Sequence, residues 1–187
     1  MSPMFHNLVK KLSSLSGVQR ITFFYATFTT LYFLLRCVAL DQLYMVHDER
    51  DIVFSAWSLA RSGRDLFGNI FPISFQGISP DNPLISIWFS ALFWLLIPIK
   101  SVLFARVPFV FVSSFIPFLL YLIVYKVTKD SRFSILVSLV AGISPWMFHL
   151  GRIAMDVTLA FPTLLIAIIF LLNKKRLLGY LFLGSRP

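Results

Sequence analysis

The sequence predicts an all-α polytopic membrane protein. Three observations carry that class. Of the 187 residues, 58% are hydrophobic and only 13% are charged, where a soluble domain carries about 45–50% apolar and about 25% charged residues. With mean hydropathy at +0.82, a chain of this length has more apolar surface than a soluble core can hide, and the excess belongs against lipid. Second, the apolar residues come in runs close to the roughly 20 residues that cross a bilayer as helix. Third, basic residues cluster between the runs, as Lys10/Lys11/Arg20, Lys126/Lys129/Arg132 and Lys174/Lys175/Arg176. That is the pattern of cytoplasmic loops. The net charge of +9 is therefore a topology signal and argues against nucleic acid as a partner. The single cysteine, Cys37, makes no intrachain disulfide and no thiolate metal cluster.

Residues 1–20 read as a basic interfacial segment on the cytoplasmic side. The run 21–40 is too long for a signal-peptide core and reads as a retained span. Arg36 lies near its outer end, where its stem is expected to snorkel. The loop 41–83 carries six acids against three bases and is the acidic segment among basic ones. Within it, residues 48–62 predict a helix, with Asp48 placed to cap it and Gly63 to end it. Gly63-Arg64-Asp65 and Phe67-Gly68-Asn69 read as turns. Asp81-Asn82-Pro83 leads into another helix with proline early in it.

The apolar run Leu84–Ile97 is shorter than the roughly 17–25 residues of a span. If it lies in the outer interface, all three basic clusters fall inside and the acidic loop and Asp156 fall outside. Trp88 and Trp94 suit that placement. The spans are then about 21–40, 104–125, 133–150 and 157–173, with a kink at Pro145-Trp146. A fifth apolar run begins at Leu177 and stops after Leu183. The expectation is one incomplete transmembrane module over 1–187, multi-pass in the cell membrane. Its N-terminus is cytoplasmic, and the loops 41–103 and 151–156 lie outside.

Two polar clusters sit at the outer membrane exits: His47 to Asp51, and His149, Arg152 and Asp156. Asp48 and Glu49 serve a helix N-terminus, or else form an acidic pair that binds a metal ion or takes a proton from an acceptor hydroxyl. Arg152 and Asp156 are four apart, and His149 is three before Arg152. On a continuous helix they share a face, as a self-neutralising ion pair or as a phosphate clamp with a second carboxylate. His149 alone reads as an interfacial polar residue. Arg106, before Val107-Pro108, reads as a snorkelling anchor ahead of a substrate contact. Asn82 supplies a turn. There is no Gly-rich phosphate loop, CxxC, HExxH or GxSxG motif, so nucleotide binding by a Rossmann half has no support.

In order, the chain carries Asp48-Glu49, the stretch Ala60 to Asn69 (ARSGRDLFGN), Asn82-Pro83-Leu84-Ile85-Ser86-Ile87-Trp88, Ala105-Arg106-Val107-Pro108, Ser144-Pro145 and Arg152-Ile153-Ala154-Met155-Asp156. This ordered set resembles the GT-C-fold membrane glycosyltransferases. Within them it resembles glycosyltransferase family 39, with the protein O-mannosyltransferases, over roughly residues 20–183. The resemblance covers an N-terminal part of such enzymes, which have more spans, so the chain by itself is expected to be inactive. It implies sugar transfer from a polyprenyl-phosphate donor to a hydroxyl acceptor (protein, lipid or glycan) at the non-cytoplasmic face. Asp48 is then the catalytic base or acceptor-positioning carboxylate, Glu49 its acidic partner and Asp156 the second-loop acid. Arg152 and Arg106 face the phosphate, with His149 and Asn82 as further substrate contacts. Some relatives carry Lys or His where this chain has Asn82. A divalent metal ion, held by Asp48 and Asp156, is not uniformly required. The alternatives are a non-catalytic membrane assembly subunit and a transporter fragment. A transporter would carry ionisable residues lining a path inside its spans, and the spans have almost none away from their ends.

Overall fold

A computed structural model describes residues 16–72 and 84–173. Within them every regular element is a helix. In chain order these are α1 (Gly17–Cys37), α2 (His47–Ser62), α3 (Leu84–Leu96), α4 (Val102–Ser113), α5 (Ile116–Thr128), α6 (Ser131–Ile143), α7 (Pro145–Leu150) and α8 (Asp156–Leu172). An isolated antiparallel bridge, Arg64 to Ile70, closes the turn after α2. Asn82, the turn before α3, the N-terminal basic cluster and the run after Lys174 lie outside the described residues.

Among the described residues, one continuous apolar segment, Val102–Thr128, is long and apolar enough to cross a membrane. It comprises α4 and α5 with a tight turn at Ser114-Phe115 between them. The helices Leu84–Leu96, Ser131–Ile143 and Asp156–Leu172 are apolar but shorter than that. α1 has 21 residues, but Thr22, Thr27, Thr29, Thr30, Tyr25 and Tyr32 dilute its apolar character. The expected third span, 133–150, is broken at Ser144 into α6 and α7. Pro145 opens α7, because a proline cannot donate to the preceding turn and is tolerated at the start of a helix. The kink thus falls at the expected place.

Local chemistry sets the helix ends. Ser16 and Gln19 form a reciprocal capping box on α1. Asp130 accepts from the amides of Arg132 (2.8 Å) and Phe133 (3.2 Å) and caps α6. Gly63 ends α2 at φ +65°, its N–H on the Leu59 carbonyl at 2.9 Å, a left-handed conformation that costs glycine nothing. α2 starts at His47, one residue earlier than expected. Its N-cap is Val46, with no side-chain cap. Asp48 therefore sits one turn-position inside the helix and is not its cap.

α5, α6 and α8 pack side by side, and α1 lies against α4 and α5. α1 is also tied to α6 by polar contacts. Tyr25 Oη bonds Ser138 Oγ, and Tyr32 Oη donates to the Gly142 carbonyl at 2.8 Å. α2 and α3 form a separate hairpin pair around Ile52, Ala56, Leu59, Ile87 and Ala91. That pair docks on α4 and α8 through Val53, Trp94, Ala105, Phe109, Ala154 and Leu159.

Arg36 does not snorkel. It is 1% exposed and points into the bundle. Its Nη1 donates to Ser113 Oγ at 2.8 Å, and its Nη2 donates to Tyr32 Oη at 2.8 Å and to the Met147 carbonyl at 2.6 Å. The guanidinium lies 4.1 Å from the Tyr32 ring centroid. Local acceptors and an aromatic face replace water here, so the stem has no reason to climb to the surface. Gly151 passes directly beneath this guanidinium, and a Cβ there would overlap it. Gly151→Ala should therefore displace Arg36 and cost about 1–3 kcal/mol. The measure is the thermal unfolding midpoint in detergent, with Gly68→Ala, where space is open but φ is +90°, as the comparison for backbone strain alone.

Candidate functional site

The loop between α1 and α2 has to turn the chain from one helix into the next with few side chains to satisfy its carbonyls. Arg106 of α4 does this work. Its Nη1 donates to the Leu40 and Leu43 carbonyls at 2.7 and 3.0 Å. Its Nη2 donates to the Tyr44 carbonyl at 3.3 Å and to Glu49 Oε2 at 2.6 Å, and its Nε donates to Glu49 Oε1 at 2.6 Å. All five N–H groups are thus used within the protein. Both side chains are 0% exposed, so Arg106 is neither a surface anchor nor free to hold a substrate.

Glu49 has a second task. Its Oε1 accepts from the Ala154 amide at 2.9 Å. Ala154 lies in the segment between α7 and α8, more than a hundred residues away in sequence. The two polar clusters read from the sequence are therefore side by side. Asp48 adjoins Glu49, and Arg152 and Asp156 are each two residues from Ala154, a reach of about 7 Å of extended chain. Because successive helical residues point about 100° apart, Glu49 facing inward leaves Asp48 outward. Asp48 is exposed and makes no hydrogen bond or ion pair among the described residues.

The second cluster is arranged differently from expectation. The helix breaks after Leu150 and restarts at Asp156, so Arg152 and Asp156 do not share a helical face and form no ion pair. Arg152 Nη2 donates to the Val38 carbonyl at the end of α1, and its guanidinium lies 5.5 Å from the Phe148 ring centroid. Its Nε is buried and unpartnered. Burial first, and then repulsion from Arg106, hold its pKa below the usual arginine value. Asp156 and His149 are exposed. Asp156 occupies the first turn of α8, where a negative charge suits the helix dipole.

Sequence reasoning missed three contributors: Ser113, Gly151 and Asp51. Ser113 and Gly151 form a buried knot with Arg36 beside Arg152, with Ser113 Oγ donating to the Gly151 carbonyl at 2.9 Å. Tyr32, four residues before Arg36 on one helix face, was the available signal. Asp51 is 7% exposed, and its Oδ2 has no partner among the described residues. Nothing in its sequence context distinguishes it from the exposed Asp48 except its three-residue offset.

Asp65 organises the turn after α2. Its Oδ1 accepts from the amides of Phe67 and Asn69 at 2.9 and 2.8 Å, and its Oδ2 from Asn69 Nδ2 at 2.8 Å. Burial pushes its pKa upward, but the hydrogen bonds from Asn69, Phe67 and Gly68 outweigh it and leave the carboxyl below the usual range.

Among the described residues, no group of three His, Cys, Asp or Glu is placed to hold a metal ion. The donor chemistry of Asp48 and Asp156, two exposed carboxylates, suits only an ion of the Mg²⁺ type, which keeps several waters and shares substrate phosphate. Compared with protein-family models, curated proteins and solved structures, the chain has no match.

Two outcomes follow from this geometry. Glu49→Gln removes one charge of a fully buried pair and should cost about 3–5 kcal/mol. Arg106→Lys should not be tolerated better, because one ammonium cannot serve five acceptors. Denaturant unfolding in micelles measures both. For Asp65, the folded pKa is depressed, so its stabilisation is present above the ordinary carboxylate value and is lost as pH falls through the lower folded value. Amide exchange at Phe67 and Asn69 should accelerate in that acid window, and Asp65→Asn should flatten the dependence.

Proposed function

We propose that this chain is part of a multi-pass membrane glycosyltransferase of the GT-C type, transferring sugar from a polyprenyl-phosphate donor to a hydroxyl acceptor at the outer face. The observation that carries the reading is the Glu49–Ala154 hydrogen bond. It brings the segment that carries Asp48 and Glu49 against the segment that carries Arg152 and Asp156, and the exposed carboxylates of Asp48 and Asp156 form no ion pair among the described residues. Lipid contact is supported by the outer helix surfaces. Leu31, Leu34 and Leu35 of α1, Leu136, Val140 and Ile143 of α6, and Trp146 of α7 are all exposed, which is costly against water and favourable against acyl chains.

In this reading Asp48 accepts the proton of the acceptor hydroxyl as the new glycosidic bond forms. The bond from sugar carbon to phosphate oxygen breaks, and the lipid phosphate leaves with the electron pair. Arg152 stabilises the charge that develops on it. Its Nη1, which makes no hydrogen bond among the described residues, leaves donors for such an oxygen. Glu49 and Arg106 act by positioning, since their own groups are spent on each other, on Ala154 and on the loop carbonyls. Asp48 and Asp156 would hold a divalent ion, which would supply charge neutralisation at the phosphate. Asn82 and His149 keep the roles of outer substrate contacts.

The test is donor binding with the protein reconstituted in lipid nanodiscs, using a radiolabelled polyprenyl-phosphate sugar. Arg152→Ala should weaken donor binding about tenfold or more, as loss of a hydrogen bond to a charged group. Asp48→Asn should leave binding intact, and in a longer enzyme that includes this chain it should lower transfer by about 10²–10⁴-fold. Absence of specific donor binding to the wild-type chain would remove the reading.

A further inference from the structure

A pocket lies on the face of α2 that carries Val53 and Trp57. It is enclosed by α2, α3 and the start of α4 and has a volume of about 280 Å³. Its walls are Met45, Val53 and Phe54, with Trp57 and Trp94 packed edge to face at 4.3 Å between centroids. Two features are out of place in a mere packing gap. Trp94 is 3% exposed, yet its Nε1, a donor that buried indoles ordinarily satisfy, has no partner. At the open edge, Lys100 stands exposed with its Nζ 5.7 Å from the Trp57 centroid. Arg61 approaches the same ring at 4.6 Å, and among the described residues its side chain hydrogen-bonds the Pro98 carbonyl at 3.3 Å. No carboxylate pairs with either cation among the described residues.

We infer that this pocket seats an anionic phospholipid of the surrounding bilayer, with its phosphate at Lys100 and Arg61 and an ester carbonyl accepting from Trp94 Nε1. The inference rests on the membrane placement in the reading above, but not on sugar transfer. Charge complementarity selects the occupant. Two unpaired cations flank an apolar slot, and the one buried donor in the slot needs an acceptor. An apolar peptide would satisfy the walls and could answer the indole N–H with a backbone carbonyl, but it brings no anion to the two cations. A phospholipid supplies phosphate, ester carbonyl and acyl chain in that order with depth. Lys100 and Ser101 open α4, the start of the segment long enough to span, so the pocket lies at the level where lipid headgroups end. Trp57, Trp94, Lys100 and Arg61 together form the aromatic and basic collar typical of that level. A lipid held there would fix the α2–α3 hairpin flat against the membrane and hold the depth of Asp48, which α2 also carries.

The experiment uses the whole chain with Trp88→Phe and Trp146→Phe, so that fluorescence reports on Trp57 and Trp94. It is reconstituted in phosphatidylcholine liposomes that contain a minor fraction of brominated lipid, either phosphatidylglycerol or phosphatidylcholine. Brominated phosphatidylglycerol should quench more strongly at equal fraction. Lys100→Gln should reduce that preference about fivefold, and Lys100→Gln with Arg61→Gln further, while Lys126→Gln leaves it unchanged. Equal quenching by both lipids overturns the inference, as does an equal effect of Lys126→Gln, which would mean general surface attraction. Displacement by soluble glycerol 3-phosphate would move the site to a free phosphate ester, and displacement by polyprenyl phosphate would make it part of the donor site. Either result overturns it. Failure of the chain to float with the liposomes would overturn the membrane placement itself, which separates the two failures.

Discussion

The contact on which the rest depends is the buried ion pair of Glu49 and Arg106. Neither group reaches water, so neither charge survives without the other. The pair does more than neutralise itself. Arg106 gathers the carbonyls of Leu40, Leu43 and Tyr44, and Glu49 takes the amide of Ala154. The α1–α2 loop, the start of α2, the middle of α4 and the segment before α8 are thereby joined at one point. A hydrophobic replacement could fill the same volume, but it could not answer three carbonyls and one amide at once.

Next to this lock sits a second cation that is held at both terminal nitrogens without any carboxylate, its Nε alone lacking a partner among the described residues. Arg36 is held by a serine, a tyrosine, a carbonyl and aromatic faces, over a residue that must be glycine. With Arg152 on the neighbouring Phe148 ring, this end of the molecule holds three arginines against one fully buried glutamate. The outward carboxylates, Asp48 and Asp156, are at the surface, where water answers them. In the proposed reading, Arg152 answers an anionic leaving group and the carboxylates at the surface answer a neutral hydroxyl, the combination that transfer from a lipid phosphate requires. The α2–α3 hairpin is linked to the same point, because α2 carries both Glu49 and the pocket-lining Trp57.

Period and composition made several elements readable. The helix ending at Gly63, the turns at Asp65 and Asn69, the short apolar helix from Leu84 and the break at Pro145 depend on local chemistry: a left-handed glycine, carboxylate-to-amide bonds, and a proline without an N–H. These reach only a few residues along the chain, so the letters suffice. Helix ends were less exact. Asp48 suits an N-cap, but the first turn formed one residue earlier, because tertiary burial of Glu49 sets the helix phase more strongly than a cap does.

The all-helical character and the apolar excess were also legible, since both follow from composition and period. What only the tertiary structure decided was which charges turn inward. Arg36 and Arg106 both read as snorkelling residues, since a lone arginine near a span end has water within reach. Each instead found enough acceptors from distant segments to outweigh hydration. Likewise Glu49 and Asp48 are neighbours of the same chemistry, yet one is fully buried and the other is exposed. A sequence records that a side chain can donate five hydrogen bonds. Whether five acceptors converge on it depends on chain segments brought together from 57 to 66 residues away, and that is settled only when the helices pack.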